Sequence, residues 1–263
     1  MDLGLKGRVA AVAAASRGLG KATALALARE GCSVAVCGRD PKKIRASADA
    51  IERETGGRVL AVTADVTSRV DCERFIGETV GTFSRLDILV TNTGGPPAGN
   101  FEATDGALWE QAYHQLLANV INLVRAATPH MKKAGFGRIL NIASLSVKQP
   151  IDNLILSNTF RPAIAGFAKS LSKELGPHGI LVNTICPGYT RTDRLEELAE
   201  ERVRRAGITR DQYYEMLAKN VPVGRVGEPE EFAAVAAFLC SERASYVSGV
   251  ALAVDGGSSV GLL

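Results

Sequence analysis

The stretch Val9-Ala10-Ala11-Val12-Ala13-Ala14-Ala15-Ser16-Arg17-Gly18-Leu19-Gly20 constrains the fold more than any other part of the chain. An apolar run of strand length stops at Ser16-Arg17-Gly18, and a helix-forming run over 21–29 begins without a spacer. A strand that turns on glycines into a helix aims the unpaired N–H groups of that helix at one point. The positive end of the helix dipole falls at the same point, so the turn suits a phosphate. Gly18 and Gly20 let the backbone approach a pyrophosphate and let the helix pack on the strand. A glycine pair alone is equally an ordinary turn, and the residues downstream decide.

Those residues alternate strand and helix signals. A buried strand over 33–37 follows Gly31; Asp40 then caps a helix with Pro41 in its first position, which ends at Gly56-Gly57. Further strands are expected over 59–62, 86–91, 138–142, 180–185 and 251–254. Ser68 with Asp71 opens a helix to about residue 83. Residues 105–133 carry a long helical pattern, broken or bent near Pro129. Helices are also expected over 164–175 and 228–240, with two charged amphipathic segments at 193–206 and 210–220. Strands apolar throughout and alternating with helices predict an α/β fold. It is a doubly wound parallel sheet (Rossmann-type) covered on both faces, in a single domain over 1–263. Ligands of such sheets lie beyond the carboxyl ends of the strands. Ser16, Arg39, Asp65, Asn92, Ser144 and Pro187 all fall just after expected strands and share that edge.

Composition removes several function classes. With 31 basic and 28 acidic residues, net +3, the chain offers neither a nucleic-acid nor a membrane surface. No apolar run approaches the roughly 20 residues of a membrane span. Residues 1–6 lack a basic region followed by an apolar one, so no signal peptide is expected and a cytoplasmic location is. Cys32, Cys37, Cys72, Cys186 and Cys240 form no C-x-x-C pair and are expected as buried reduced thiols. His114, His130 and His178 show no ligand spacing, so no metal site is expected.

At this point the sequence resembles the short-chain dehydrogenase/reductase family over essentially its whole length. Ala13-Ala14-Ala15-Ser16-Arg17-Gly18-Leu19-Gly20 is similar to the family's Thr-Gly-x-x-x-Gly-x-Gly turn, with Ala14 in place of the first glycine. Asp65-Val66 matches the adenine-contacting Asp-Val, and Thr91-Asn92-Thr93-Gly94 stands where the family has Asn-Asn-Ala-Gly. Cys186-Pro187-Gly188-Tyr189-Thr190-Arg191-Thr192 resembles its Pro-Gly-x-x-x-Thr segment near the nicotinamide. Tyr246-Val247-Ser248-Gly249 and Val254-Asp255-Gly256-Gly257 match the strand that the family uses in dimer and tetramer contacts. The β-ketoacyl-carrier-protein-reductase-like branch is the nearest in flavour. The resemblance implies a homotetramer or homodimer, a small-molecule substrate and a substrate lid at about 189–222. Leu195, Leu198, Ala199 and Val203 give that lid one apolar helical face, and Gly207 suits a hinge.

Cofactor choice follows from charge. An acidic residue at the end of the second strand would hold the ribose 2′-hydroxyl of NAD. Here Gly38-Arg39 stands there, and Arg17 lies in the first turn; two guanidinium groups suit the 2′-phosphate of NADP. Asp40 is the rival acid, but Asp before Pro reads more simply as a helix cap. NADP is the expected cofactor, with NAD as the alternative.

The catalytic pattern of the family departs here. The resemblance implies Asn–Ser–Tyr–Lys, with Tyr and Lys one helical turn apart. The serine maps to Ser144, but the family's spacing puts Ser157 at the tyrosine position and Arg161 at the lysine position. Registering the helix on Trp109 and Pro129 puts Leu116 at the asparagine position. A tyrosine, with its pKa of about 10, can trade a proton with a substrate oxygen, whereas serine needs a base of its own. Arg161 stays protonated and can stabilise an oxyanion. Losing general acid–base help costs roughly 10²–10⁴ in rate. Pro162 is expected to start or kink the helix and re-aim Arg161.

Three readings follow. The first is an NADP(H)-dependent oxidoreductase acting on carbonyl, alcohol or 3-oxoacyl substrates through a rebuilt site. Ser144, Ser157 and Arg161 lie in that site, with Tyr189 as a replacement proton donor and Lys148 as a second candidate. Next comes a nucleotide-binding protein without redox turnover. The last is a non-redox enzyme similar to halohydrin dehalogenases, whose Ser–Tyr–Arg set Arg161 fits and Ser157 does not.

Overall fold

The computed structural model describes residues 2–261, with the side chains of residues 194, 198, 201, 202 and 205 outside the described set. Leu198, one of the apolar positions expected in the lid, therefore lies outside the described side chains. Seven parallel strands form one sheet in the order β3-β2-β1-β4-β5-β6-β7. They are β1 (Val9–Val12), β2 (Ser33–Gly38), β3 (Val59–Thr63), β4 (Ile88–Thr91), β5 (Gly137–Ile142), β6 (Ile180–Pro187) and β7 (Ala251–Val254). Nine α-helices alternate with them among the described residues. These are α1 (Gly18–Arg29), α2 (Pro41–Thr55), α3 (Arg69–Phe83), α4 (Gly106–Tyr113), α5 (Asn119–Ala134), α6 (Ile155–Leu175), α7 (Asp193–Ala206), α8 (Arg210–Lys219) and α9 (Pro229–Cys240). Each face of the sheet carries its own core. One joins Leu27 of α1, Ile44 of α2 and Phe232 of α9; the other joins Phe75 of α3, Leu123 of α5 and Ile164 of α6. Burial on both faces explains why the strands read as continuous apolar runs. The strand order reverses between β1 and β4, which opens a crevice at the carboxyl ends of those two strands.

Several expected boundaries change. α1 begins on Gly18 itself rather than at residue 21, with the Lys21 N–H bonded to the Arg17 carbonyl at 3.4 Å. The 105–133 pattern does not break at Pro129, which sits inside α5. Pro129 and Arg125, the residue whose carbonyl would have received its N–H, are both exposed, so that carbonyl lies on the solvent face of the helix. The break falls instead at a π-helical turn, His114–Ala118, between α4 and α5. α6 starts at Ile155, nine residues before the expected start, and runs through Pro162. Pro162 therefore neither begins the helix nor ends it. Its first turn is anchored by Asn158, whose side chain accepts from the Ile151 N–H at 3.0 Å and donates to the Ile151 carbonyl at 2.8 Å.

The chain reversal after β1 is held from both sides. The Ala13 N–H donates to Val90 of β4, and the Ala15 N–H donates to Cys37 of β2, both at 2.9 Å. Between these bonds Ala14 takes a left-handed conformation, φ 48°, which costs an L-residue roughly 1–2 kcal/mol. Replacing Ala14 by Gly should remove that cost, less the larger entropy glycine loses on folding. The expected net gain is about 0.5–1 kcal/mol, a rise in melting temperature of about 1–4 °C. A thermal melt of Ala14→Gly checks this, and a fall would mean that the methyl's packing outweighs the strain.

Candidate cofactor and reaction site

At the carboxyl edge of the sheet side chains close several positive helix ends, whereas α1 and α6 have no side-chain cap. Asp40, Ser68, Asp105 and Thr192 cap α2, α3, α4 and α7. The first turn of α1 has no side-chain cap and no acidic residue, so its N–H donors face the crevice unpaired. Asn92, just past β4, donates from Nδ2 to the Ala14 carbonyl at 3.3 Å and braces the turn. A Cβ on Gly20 would stand 2.6 Å from that carbonyl and 2.8 Å from Asn92 Nδ2; only glycine fits there. Ser16 and Leu19 are half-buried beside it. The free donors and the bare glycine backbone fit the pyrophosphate of a dinucleotide.

Around this turn the remaining expected residues form a rim. Asp65 is half-buried above β3 and its Oδ1 accepts from the Thr67 N–H at 3.0 Å and the Thr67 hydroxyl at 2.9 Å. Val66 is buried. Asp40 accepts from the N–H groups of Lys42 and Lys43, which makes it the cap of α2 and leaves the end of β2 to the exposed Arg39. Gly94 is exposed, and its carbonyl accepts from Gln115 Nε2 at 3.0 Å. Gly188 donates to the Val254 carbonyl at 2.9 Å, which ties the Pro187-Gly188 corner to β7. Thr192 caps α7 through the Leu195 N–H. Arg17 is exposed and ion-paired with Glu197 at 2.7 Å and with Asp193 at 3.7 Å, both on α7.

The reaction end lies at the tips of β5 and β6. Arg161 is buried, and its Nη1 donates to the carbonyls of Ile142 and Ala143, both at 3.0 Å. The sheet register explains why those two carbonyls need a donor. The Ala143 N–H bonds to Ile185, and the ladder's next donor toward the Ala143 carbonyl belongs to residue 187, a proline. β4 stops at Thr91, opposite Asn141, so the Ile142 carbonyl extends past its neighbour. Arg161 fills both vacancies. Its Nε is buried without a partner, and no carboxylate pairs with it among the described residues. Burial lowers the guanidinium to about 10, with Cys186 a small opposing influence; it remains a cation at neutral pH.

Ser144 stands half-buried immediately beyond this clamp, and its Oγ accepts from the Ser146 N–H at 3.2 Å. Ser157 is turned elsewhere: its hydroxyl is 3.0 Å from that of Ser146, and the pair is buried. Leu116 is fully buried against Ala112 and Leu156, so hydrocarbon replaces a polar group on that side. Tyr189 follows β6 and its side chain is 38% exposed at the mouth. Lys148 is half-buried four residues after Ser144. The Cys186 thiol beneath is pushed up to about 11 by burial, against the pull of Lys148, the Ser144 N–H and Arg161. The structure thus brings Ser144 and Arg161 to one point, keeps Tyr189 at the rim and closes Ser157 off.

Four residues that matter here escape the sequence reading. Gln115 holds the Gly94-Gly95 loop through both carbonyls. Asn119, three residues past Leu116, is buried with an unpartnered Oδ1; its spacing of one helical turn was the available signal. Asp193 and Glu197 had no signal, because nothing in the sequence aims them at Arg17. All five cysteines are free and buried. Among the described residues there is no cluster of metal-ligating side chains and no helix long and apolar enough to cross a membrane.

Known proteins are similar to this chain over nearly its whole length. The family model described as enoyl-(acyl carrier protein) reductase matches residues 13–259. The short-chain reductase protein NovJ of Streptomyces niveus is 37% identical, over 95% of this chain and 93% of its own length. The NADPH-dependent reductase BacG of Bacillus subtilis is 32% identical, over 95% and 97%. Among solved structures, L-sorbose reductase of Gluconobacter frateurii, complexed with NADPH and L-sorbose, is similar with a TM-score of 0.96, 31% identity and full coverage of both chains. The chain therefore belongs to the short-chain dehydrogenase/reductase family of NAD(P)-dependent oxidoreductases.

Proposed function

We propose that the chain is an NADP(H)-dependent reductase of carbonyl compounds, 3-oxoacyl thioesters among them, working through a rebuilt reaction site. One observation carries this reading: a guanidinium fixed on the carbonyls of the two residues before Ser144 shares a sheet edge with an uncapped, glycine-lined helix terminus. When bound, the dinucleotide supplies the hydride. The N–H groups of α1 hold its pyrophosphate, Asp65 and Val66 hold the adenine, and Pro187 and Gly188 flank the nicotinamide. Arg17 and Arg39 meet a 2′-phosphate, a choice that the NADPH named for two relatives supports. Ser144 donates to the substrate carbonyl oxygen, and the cationic Arg161 stabilises the charge that develops there. Tyr189, or else Lys148, returns the proton. Segment 189–222, with α7 and α8 packed through Leu195, Leu217 and Val226, acts as a lid on the single domain. The fully exposed Tyr246 ring and half-exposed Leu252 of β7 support a homotetramer or homodimer formed through that strand.

A second reading, nucleotide binding without turnover, is favoured by the closed Ser146–Ser157 hydroxyl pair. The dehalogenase-like alternative has no comparable support, because the retained Gly18-Leu19-Gly20 turn argues for a nucleotide. Calorimetric titration should show NADPH binding more tightly than NADH. Arg17→Ala and Arg39→Ala should each weaken NADPH by roughly tenfold, the scale of a charge-assisted bond. Spectrophotometric turnover of 3-oxoacyl and other carbonyl substrates then separates the first two readings. Ser144→Ala should lower kcat by roughly 10²-fold while NADPH affinity stays within twofold. Tyr189→Phe should abolish activity; unchanged turnover would remove Tyr189 from the mechanism and pass its role to Lys148.

The lowered Arg161 value sets an alkaline limit. The cation that stabilises the oxyanion persists until about pH 10, so activity should hold through pH 9 and fall as pH rises through 10. Arg161→Lys should keep measurable activity and move the limb to lower pH, because lysine starts from about 10.4 and burial lowers it further. A pH profile that Arg161→Lys leaves in place would show that this side chain only completes the sheet.

A further inference from the structure

We propose that Asp193 and Glu197 moderate cofactor preference: they hold Arg17 in the place of a nucleotide phosphate, so that a 2′-phosphate must displace them and the selectivity for NADP(H) is lower than Arg17 alone would give. The inference rests on the reading that Arg17 meets that phosphate. The first turn of α7 lies directly over the glycine turn, since a Cβ on Gly18 would stand 3.7 Å from the side chain of Thr192, the α7 cap. From this seat Glu197 reaches Arg17 at 2.7 Å and Asp193 reaches it at 3.7 Å. Asp193 belongs to the first turn of α7. Both acids therefore bring negative charge to the mouth of a crevice whose other groups attract anions.

This arrangement treats the two nucleotides differently. A dinucleotide ending in a bare 2′-hydroxyl has nothing to offer Arg17, so the Arg17–α7 pairs persist and the lid stays tethered. A 2′-phosphate brings about two charges and three acceptor oxygens, and competes for the guanidinium directly. Exchange of partners releases α7 from the turn, which couples lid opening to the phosphate that marks NADP(H). Because Arg17, Asp193 and Glu197 are each about half exposed, solvent screens the pairs and the effect is modest, a factor of roughly two to five.

The test compares NADPH and NADH binding to the wild type, Glu197→Gln and the Asp193→Asn/Glu197→Gln double variant by calorimetry. The expected result is an NADPH affinity tightened roughly two- to fivefold, with a ratio of NADH to NADPH dissociation constants that rises at least about twofold and shrinks again in high salt. In hydrogen exchange, 2′,5′-ADP should speed exchange of the α7 amides in the wild type, and 5′-AMP should not. NADPH binding with an unchanged ratio in both variants overturns this inference alone. A wild type that binds neither nucleotide defeats the cofactor reading as well.

Discussion

Two backbone hydrogen bonds, Ala13 to Val90 and Ala15 to Cys37, decide much of what this molecule can do. They join β1 to its neighbour on each side at the point where the strand order reverses. The chain between them has no freedom to choose its direction, which is why Ala14 accepts a left-handed backbone. The reversal aims α1 into the crevice with its donors free, and it presents the Ala14 carbonyl to Asn92. A turn that tolerates strain at one residue is over-determined by its surroundings, as expected where a backbone must meet a ligand.

The buried acid and the buried arginines at the sheet edges meet different partners: backbone carbonyls receive Arg138 at the amino edge as they receive Arg161 at the carboxyl edge. At the amino edge, the fully buried Asp87 is answered by Arg85 at 2.6 Å, Arg8 at 3.3 Å and the Val9 N–H at 2.9 Å. At the carboxyl edge, the buried Arg161 has only carbonyl oxygens. Removing a charge from water is expensive, and each arginine offsets part of that cost by donating to backbone carbonyls. What sets Arg161 apart from Arg138 is its place, on the carbonyls of the two residues that precede Ser144.

How much of this the sequence discloses depends on the range of the interaction. The sheet, its layers and most caps are legible because their causes lie within a few residues: Asp40 before Pro41, Ser68 before Asp71, apolar runs of strand length. The rim residues are legible too, since position after a strand places them at one edge. The expectation of a break at Pro129 fails for a tertiary reason. A proline breaks a helix when its unpaired carbonyl is buried, and exposure is a tertiary fact; at Pro129 the solvent face absorbs the loss. The role of Arg161 was equally hidden, because it answers to Pro187, 26 positions away in the sequence and adjacent only through the β5–β6 register. The Arg17–Glu197 pair joins residues still farther apart.

The departures from the family's catalytic pattern are not independent substitutions. Leu116 packs on Leu156, the residue before Ser157. Ser157 is bonded to Ser146, two residues after Ser144. Arg161, one helical turn beyond Ser157, clamps the two residues that precede Ser144. Groups that share partners this closely couple by amounts comparable to their individual effects. A tyrosine placed at 157 alone would have to displace a buried hydroxyl pair, and an asparagine at 116 alone would lose its polar contacts among Ala112 and Leu156. The four positions form one repacked unit centred on Ser144.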